Sequence, residues 1–158
     1  MAVEVHDRRD DLHTIRLDGR GLRRVITDQS SARPSWSRLG VIAFRSRHFD
    51  HGFNDIWTMR PDGSDRRQLT TNHNSDDPSL SPNGRALVFV GPDNEWVHDR
   101  ELYALAADGT GLRQVTESRL WDLEPSWSPN GRWVAYAHAA VERQRRPAPG
   151  AGGRTRRA

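Results

Sequence analysis

Imidazole and carboxylate side chains have the widest chemical reach in this chain, and they gather in four stretches. His48-Phe49-Asp50-His51 is the densest. His73, Asp76 and Asp77 share a second stretch, Asp93, Glu95, His98 and Asp99 a third, and Trp121, Asp122 and Glu124 a fourth. Imidazole and carboxylate together suit several divalent ions, so His48, Asp50 and His51 are the candidate metal ligands. No helix period fixes their spacing, and loop histidines are usually just solvated, so no metal is assigned. Acyl transfer finds no support, since no Gly-x-Ser-x-Gly elbow is present, and no Gly-rich loop cradles a phosphate. With no cysteine among 158 residues, disulfide scaffolds and thiolate metal sites are excluded. No catalytic residue and no cofactor is therefore expected.

Charge is unevenly placed. All 24 basic residues are arginine. Beyond Ala140 six arginines (Arg143, Arg145, Arg146, Arg154, Arg156, Arg157) face one acid, Glu142, whereas residues 1–140 are slightly acidic. The stretch 141–158 is rich in Arg, Pro and Gly and reads as a disordered tail. Such a tail can touch nucleic acid or another polyanion. No aromatic residue interleaves its arginines to stack on bases, so a solvated terminus is the preferred reading. No apolar run of membrane-spanning length exists. Met1 to Asp11 carries charges where a secretory h-region would be apolar.

The elements that position these side chains are set by an internal repeat. Leu12, Ile56 and Leu102 each open a short strand pattern. Asp18-Gly19, Asp62-Gly63 and Asp108-Gly109 follow, then Val25, Leu69 and Val115. Next come Pro34-Ser35-Trp36-Ser37, Pro78-Ser79-Leu80-Ser81 and Pro125-Ser126-Trp127-Ser128. Ile42-Ala43-Phe44, Leu87-Val88-Phe89 and Val134-Ala135-Tyr136 close each unit. The Asp-Gly pairs supply the positive φ of a tight hairpin turn. Ser-Pro-Asn-Gly at 81–84 and 128–131 makes a second turn. The first copy, Ser37-Arg38-Leu39-Gly40, is one residue shorter, which predicts a tighter or irregular hairpin. Runs such as 86–90 and 133–137 are nearly continuous in apolar residues, so both faces of the sheet are covered. Four-stranded units of about 45 residues stacked face to face are propeller blades. Trp36, Trp57, Tyr103 and Trp127 are expected to pack between them.

The run Pro-Ser-Trp-Ser-Pro-Asn-Gly-Arg, then Val-Ala-Tyr, an Asp-Ile-Trp strand, Pro-Asp-Gly-Ser and Arg-Gln-Leu-Thr resembles the TolB-type propeller repeat, a WD-repeat-like unit, over about residues 11–138. The resemblance implies a propeller, usually six-bladed, that binds other proteins. In bacteria it implies a periplasmic partner of a peptidoglycan-associated lipoprotein. The same repeat also builds the propellers of prolyl-oligopeptidase-like enzymes and of some metal-assisted lyases.

The expected fold is all-β: a partial β-propeller of about three four-stranded blades over residues 1–140, two complete and one half blade at each end. The complete blades run over about 34–70 and 78–116. Three blades do not close a ring, since closed propellers have four to eight. Either two chains form a six-bladed homodimer, or the chain is a piece of a longer propeller, which its abrupt start and Arg-rich end favour. The long connections at 46–54, 71–77, 91–100 and 117–124 share one acidic, His-rich end. Arg20, Arg60, Arg66, Arg67, Arg85 and Arg132 make the turn end basic. Asp77 and Glu124, with Arg33 in the first copy, precede the repeat proline where the inner strand begins, near the central channel. They are the leading candidates for partner contact, joined by His73, Asp76, Trp121, Asp122 and the His48-Asp50-His51 stretch. The function expected is a non-enzymatic protein-binding scaffold whose partner is another protein; the alternative is the propeller of an enzyme. The compartment reads as cytoplasmic from the visible N-terminus, and as periplasmic or secreted from the resemblance.

Overall fold

The computed structural model describes residues 11–28, 30–47, 53–91, 100–118 and 120–140. Its strands are β1 (His13–Thr14), β2 (Arg23–Arg24), β3 (Ser31–Trp36), β4 (Ile42–Arg47), β5 (Asn54–Met59) and β6 (Arg67–Gln68). They continue as β7 (Asp76–Leu80), β8 (Ala86–Gly91), β9 (Glu101–Ala106), β10 (Arg113–Gln114), β11 (Trp121–Trp127) and β12 (Val134–Ala139). Four antiparallel sheets result: β1-β2, β3-β4-β5-β6, β7-β8-β9-β10 and β11-β12. These are an outer half-blade, two complete blades and an inner half-blade, the arrangement the repeat predicts. The tail at 141–158 lies outside the described residues.

Turn chemistry repeats as closely as sequence. Gly19, Gly63 and Gly109 take φ of 79°, 85° and 89°, and each donates its N–H to the carbonyl three residues back. Asp18, Asp62 and Asp108 Oδ1 accept from the N–H two residues on. The Ser64 and Thr110 hydroxyls also donate to Asp62 and Asp108 and hold those carboxyls below their ordinary range. In the second turn type, Ser81 Oγ takes the Ala86 N–H and donates to Asn83 Oδ1, as Ser128 does with Trp133 and Asn130. The shorter first copy keeps this logic. Gly40 donates to the Ser37 carbonyl and Ser37 Oγ takes the Val41 N–H, so the hairpin is one residue tighter and regular.

The core is three layers between blades. Leu12 and Ile26 of the outer half-blade pack on Ile42, Phe44 and Met59. Ala43 and Ile56 pack on Leu80, Leu87, Phe89 and Leu105 of the second complete blade. Val88, Val90, Leu102 and Ala104 take Leu123, Trp127 and Val134 of the inner half-blade. Each complete blade is thus apolar on both faces, which explains the continuous runs. A fully buried Phe or Leu contributes roughly 1.5–3 kcal/mol, so these layers dominate cohesion. Trp127, Trp57 and Tyr103 pack between blades as expected. Trp36 does not: it is 56% exposed, because no inner half-blade precedes β3 among the described residues.

The inner strands begin earlier than their prolines suggest. β3, β7 and β11 start at Ser31, Asp76 and Trp121. Asp76, Asp77, Asp122 and Glu124 are therefore strand residues rather than loop residues. Their polarity hides this, because each inner strand carries a bulge near its start that spoils the alternation.

Candidate functional site

The bulge creates the site. Pairing of the inner strand with the second strand shifts register between Ala32 and Ser35, between Asp76 and Ser79, and between Leu123 and Ser126. At each bulge a non-glycine residue has positive φ: Arg33 at 56°, Asp77 at 47° and Glu124 at 53°. The following proline disfavours the right-handed α region for the residue before it. The left-handed conformation costs an L-residue roughly 1–2 kcal/mol. Three such residues at one repeat position mark a strained feature of the kind that gathers at binding sites.

These residues line one opening. Arg33, Pro34, Asp77, Pro78, Glu124 and Pro125 surround a cavity of about 320 Å³ where the three inner strands converge. Arg33 bridges two blades: Nη1 pairs with Asp77 Oδ1 and Nε lies 3.4 Å from Asp76 Oδ1. Asp76 Oδ2 is 3.5 Å from Arg45 Nη1. Burial pushes the Asp77 carboxyl above its ordinary range, and the Asp76 charge adds to this; Arg33 and the Glu124 N–H pull the other way. Glu124 stays exposed. The mouth therefore offers one exposed carboxylate, one pinned carboxylate and a guanidinium on rigid strands, a set suited to holding polar groups of a partner.

The other candidates fall elsewhere. His48, Asp50 and His51 lie outside the described residues, as do Asp93, Glu95, His98 and Asp99. Among the described residues no group of three or more His, Asp or Glu stands close enough to hold a metal. His73, with φ of 63°, rests Nδ1 3.1 Å from buried Asp55 and leans on Phe53. Trp121 lies beneath the Arg100 guanidinium, 5.2 Å from the ring centre. Asp122 is fully buried beside His138 Nδ1 at 2.5 Å. Its Oδ2 has no partner among the described residues. The arginines of the turn end are partly engaged: Arg67 Nη2 donates to the Asp108 carbonyl at 2.8 Å and Arg60 pairs with Asp65 at 3.3 Å.

Sequence reasoning missed the buried acids that lock strands together. Asp55 accepts from the Thr70 hydroxyl at 2.9 Å, from Gln68 at 3.2 Å and from the His73 N–H at 3.2 Å. Glu101 accepts from the Thr116 hydroxyl at 2.6 Å and the Ser118 N–H at 2.7 Å. Asp11, only partly buried, takes Arg24 at 3.2 Å. The signal was present: an acid stands immediately before Leu12, Ile56 and Leu102 in all three copies.

The family model of the TolB beta propeller domain matches residues 1–158. The chain belongs to that family. A "Protein TolB homolog" of Chlorobium luteolum (strain DSM 273 / BCRC 81028 / 2530) is 38% identical over 61 residues, which is 39% of this chain and 14% of the relative. Among solved structures, a TolB candidate from Agrobacterium tumefaciens superposes with a TM-score of 0.68 at 22% identity, covering 77% of this chain and 43% of that one. An oligogalacturonate lyase in complex with manganese reaches a TM-score of 0.59 at 19% identity, over 78% of this chain and 36% of that one. These structural likenesses show the fold. The TolB-type chain spans less than half the length of each of these proteins. No helix of the described residues is long and apolar enough to cross a membrane.

Proposed function

We propose that this TolB-type chain is a non-enzymatic protein-binding module that engages its partner at the mouth framed by Arg33, Asp77 and Glu124. The observation that carries the reading is the threefold recurrence of a strained, charged residue before a proline, all facing one cavity. Strain at one repeat register, on rigid inner strands, supports recognition more than packing, since packing alone would accept glycine there. The resemblance to TolB supports a protein as the partner, met in the periplasm or outside the cell.

The chain contains no cysteine, so a single Glu124→Cys carries a photo-crosslinker cleanly. In extract of the native source it should give a discrete protein adduct that Arg132→Cys on the turn end does not. Adding Asp77→Asn should weaken that adduct several-fold. Equal adducts from both positions would overturn the reading.

The second reading is an enzyme's propeller, and the fold likeness to a lyase solved with manganese favours it. It places a divalent ion at His48, Asp50 and His51. Calorimetric titration with manganese should then show binding that a His48→Ala/His51→Ala variant loses.

A further inference from the structure

Two contact rules tie each blade to its neighbour and a third ties strands within a blade, and each has an unfilled instance among the described residues. The first concerns the inner strand. Leu80 is 5% exposed against the preceding blade. Trp127 packs on Val88 and Val90 and donates Nε1 to the Ser79 carbonyl at 3.1 Å. Trp36 holds the same repeat position and is 56% exposed. The second concerns the outer strand. Arg23 Nη2 donates to the Asp62 carbonyl of the next blade at 3.3 Å, and Arg67 to that of Asp108 at 2.8 Å. Arg113, their equivalent, makes no such bond among the described residues. The third is the ladder between second and third strands. Phe44 faces Trp57 and Phe89 faces Tyr103, and both phenylalanines are no more than 1% exposed. Tyr136 holds that position on β12 and is 44% exposed, while Ile15, the equivalent of Met59, is 59% exposed.

We propose that a second copy of this chain fills all three. β12 of one copy pairs with β1 of the other and completes a four-stranded blade from an inner and an outer half. The two complete blades fix the register. Ile42↔Met59 and Leu87↔Leu105 give Val134↔Ile15, Phe44↔Trp57 and Phe89↔Tyr103 give Tyr136↔His13, and Ser46↔Asp55 and Gly91↔Glu101 give His138↔Asp11. The last pair sets an imidazole against a carboxylate. By the same rules Trp36 reaches the Ser126 carbonyl of the second copy, and Arg113 its Asp18 carbonyl. The interface occurs twice about a two-fold axis and so closes. It yields six blades, within the range that closes a ring, and covers both edges left open among the described residues. This surface adjoins the mouth, since Trp36 and Ser126 share β3 and β11 with Arg33 and Glu124, but the mass in solution tests the dimer and a heterologous adduct tests the mouth, so the two readings fail separately.

Light scattering on the full chain at tens of micromolar should give a mass near twice 18.0 kDa. Tyr136→Glu should return it to a monomer with unchanged far-ultraviolet circular dichroism, because Tyr136 is exposed in the single chain. Trp36→Ala should weaken dimerisation about tenfold or more, as truncating a buried interface tryptophan does. Register is read by cysteine pairs: oxidised Thr14→Cys/Ala135→Cys should form a covalent dimer. Thr14→Cys/Val134→Cys should not, because a one-residue slip turns the side chain to the other face. A monomeric wild type, a mass unmoved by Tyr136→Glu, or a ladder of open oligomers would overturn the proposal.

Discussion

At the residue scale the chain spends its polarity on buried acids. Asp77 is held against its own charge, since burial raises its pKa and Asp76 raises it further. A carboxyl raised in the fold binds its proton more tightly there than in the unfolded chain. Its contribution to stability is therefore fullest below the unfolded value and is lost as pH rises through the folded one. Asp77→Asn removes that loss. In urea unfolding from pH 3 to 7, the variant should gain on the wild type as pH rises; a constant difference would show that Arg33 fully compensates. Asp55 and Glu101 work differently, as buried acceptors for buried and half-buried donors. Removing a buried acceptor costs about 1–3 kcal/mol, so Asp55→Ala and Glu101→Ala should lower the urea midpoint clearly. Asp11→Ala should cost under about 1 kcal/mol, because its partner Arg24 is exposed and such pairs are weak.

At the element scale, what was legible and what was not divide along physical lines. Strand number and order followed from turn chemistry, because Asp-Gly and Ser-Pro-Asn-Gly encode local dihedrals directly. The mouth was legible as a position, the residue before each proline, but its bulge was not. Hydrophobic alternation reports which face is buried and is silent on an extra residue in a strand. Asp122 read as a loop acid open to a partner. It is buried because it stands where Ser31 and Ser75 stand in the other copies, all three fully enclosed. Gly91 shows the same blindness. Ser46 and His138 fill its repeat position, yet a Cβ at Gly91 would overlap the Tyr103 ring at Cδ2. Gly91→Ala should cost about 1–3 kcal/mol as the ring is displaced. In the Tyr103→Ala background the same change should cost little, and chemical denaturation of the four chains checks this coupling.

At the scale of the whole molecule, cohesion is graded along the chain. The second complete blade is sandwiched, with one apolar layer towards the first complete blade and another towards the inner half-blade. β12 is bounded on one edge by β11 and is exposed from Ala135 to Ala139. β1 and β2 pair with each other over two residues. Amide exchange reports such gradients, since local opening costs least where few apolar contacts are broken. In dilute solution the amides of β7 to β9 should exchange slowest, and those of β1, β2 and β12 fastest. If a second copy supplies the third strand, raising the concentration to tens of micromolar should slow β12 and β1 together. β7 to β9 should not change, because both of their faces are already covered. Protection that rises uniformly would mean the copies associate through some other surface. Protection of β12 equal to that of β8 even in dilute solution would mean that its edge is closed within one chain.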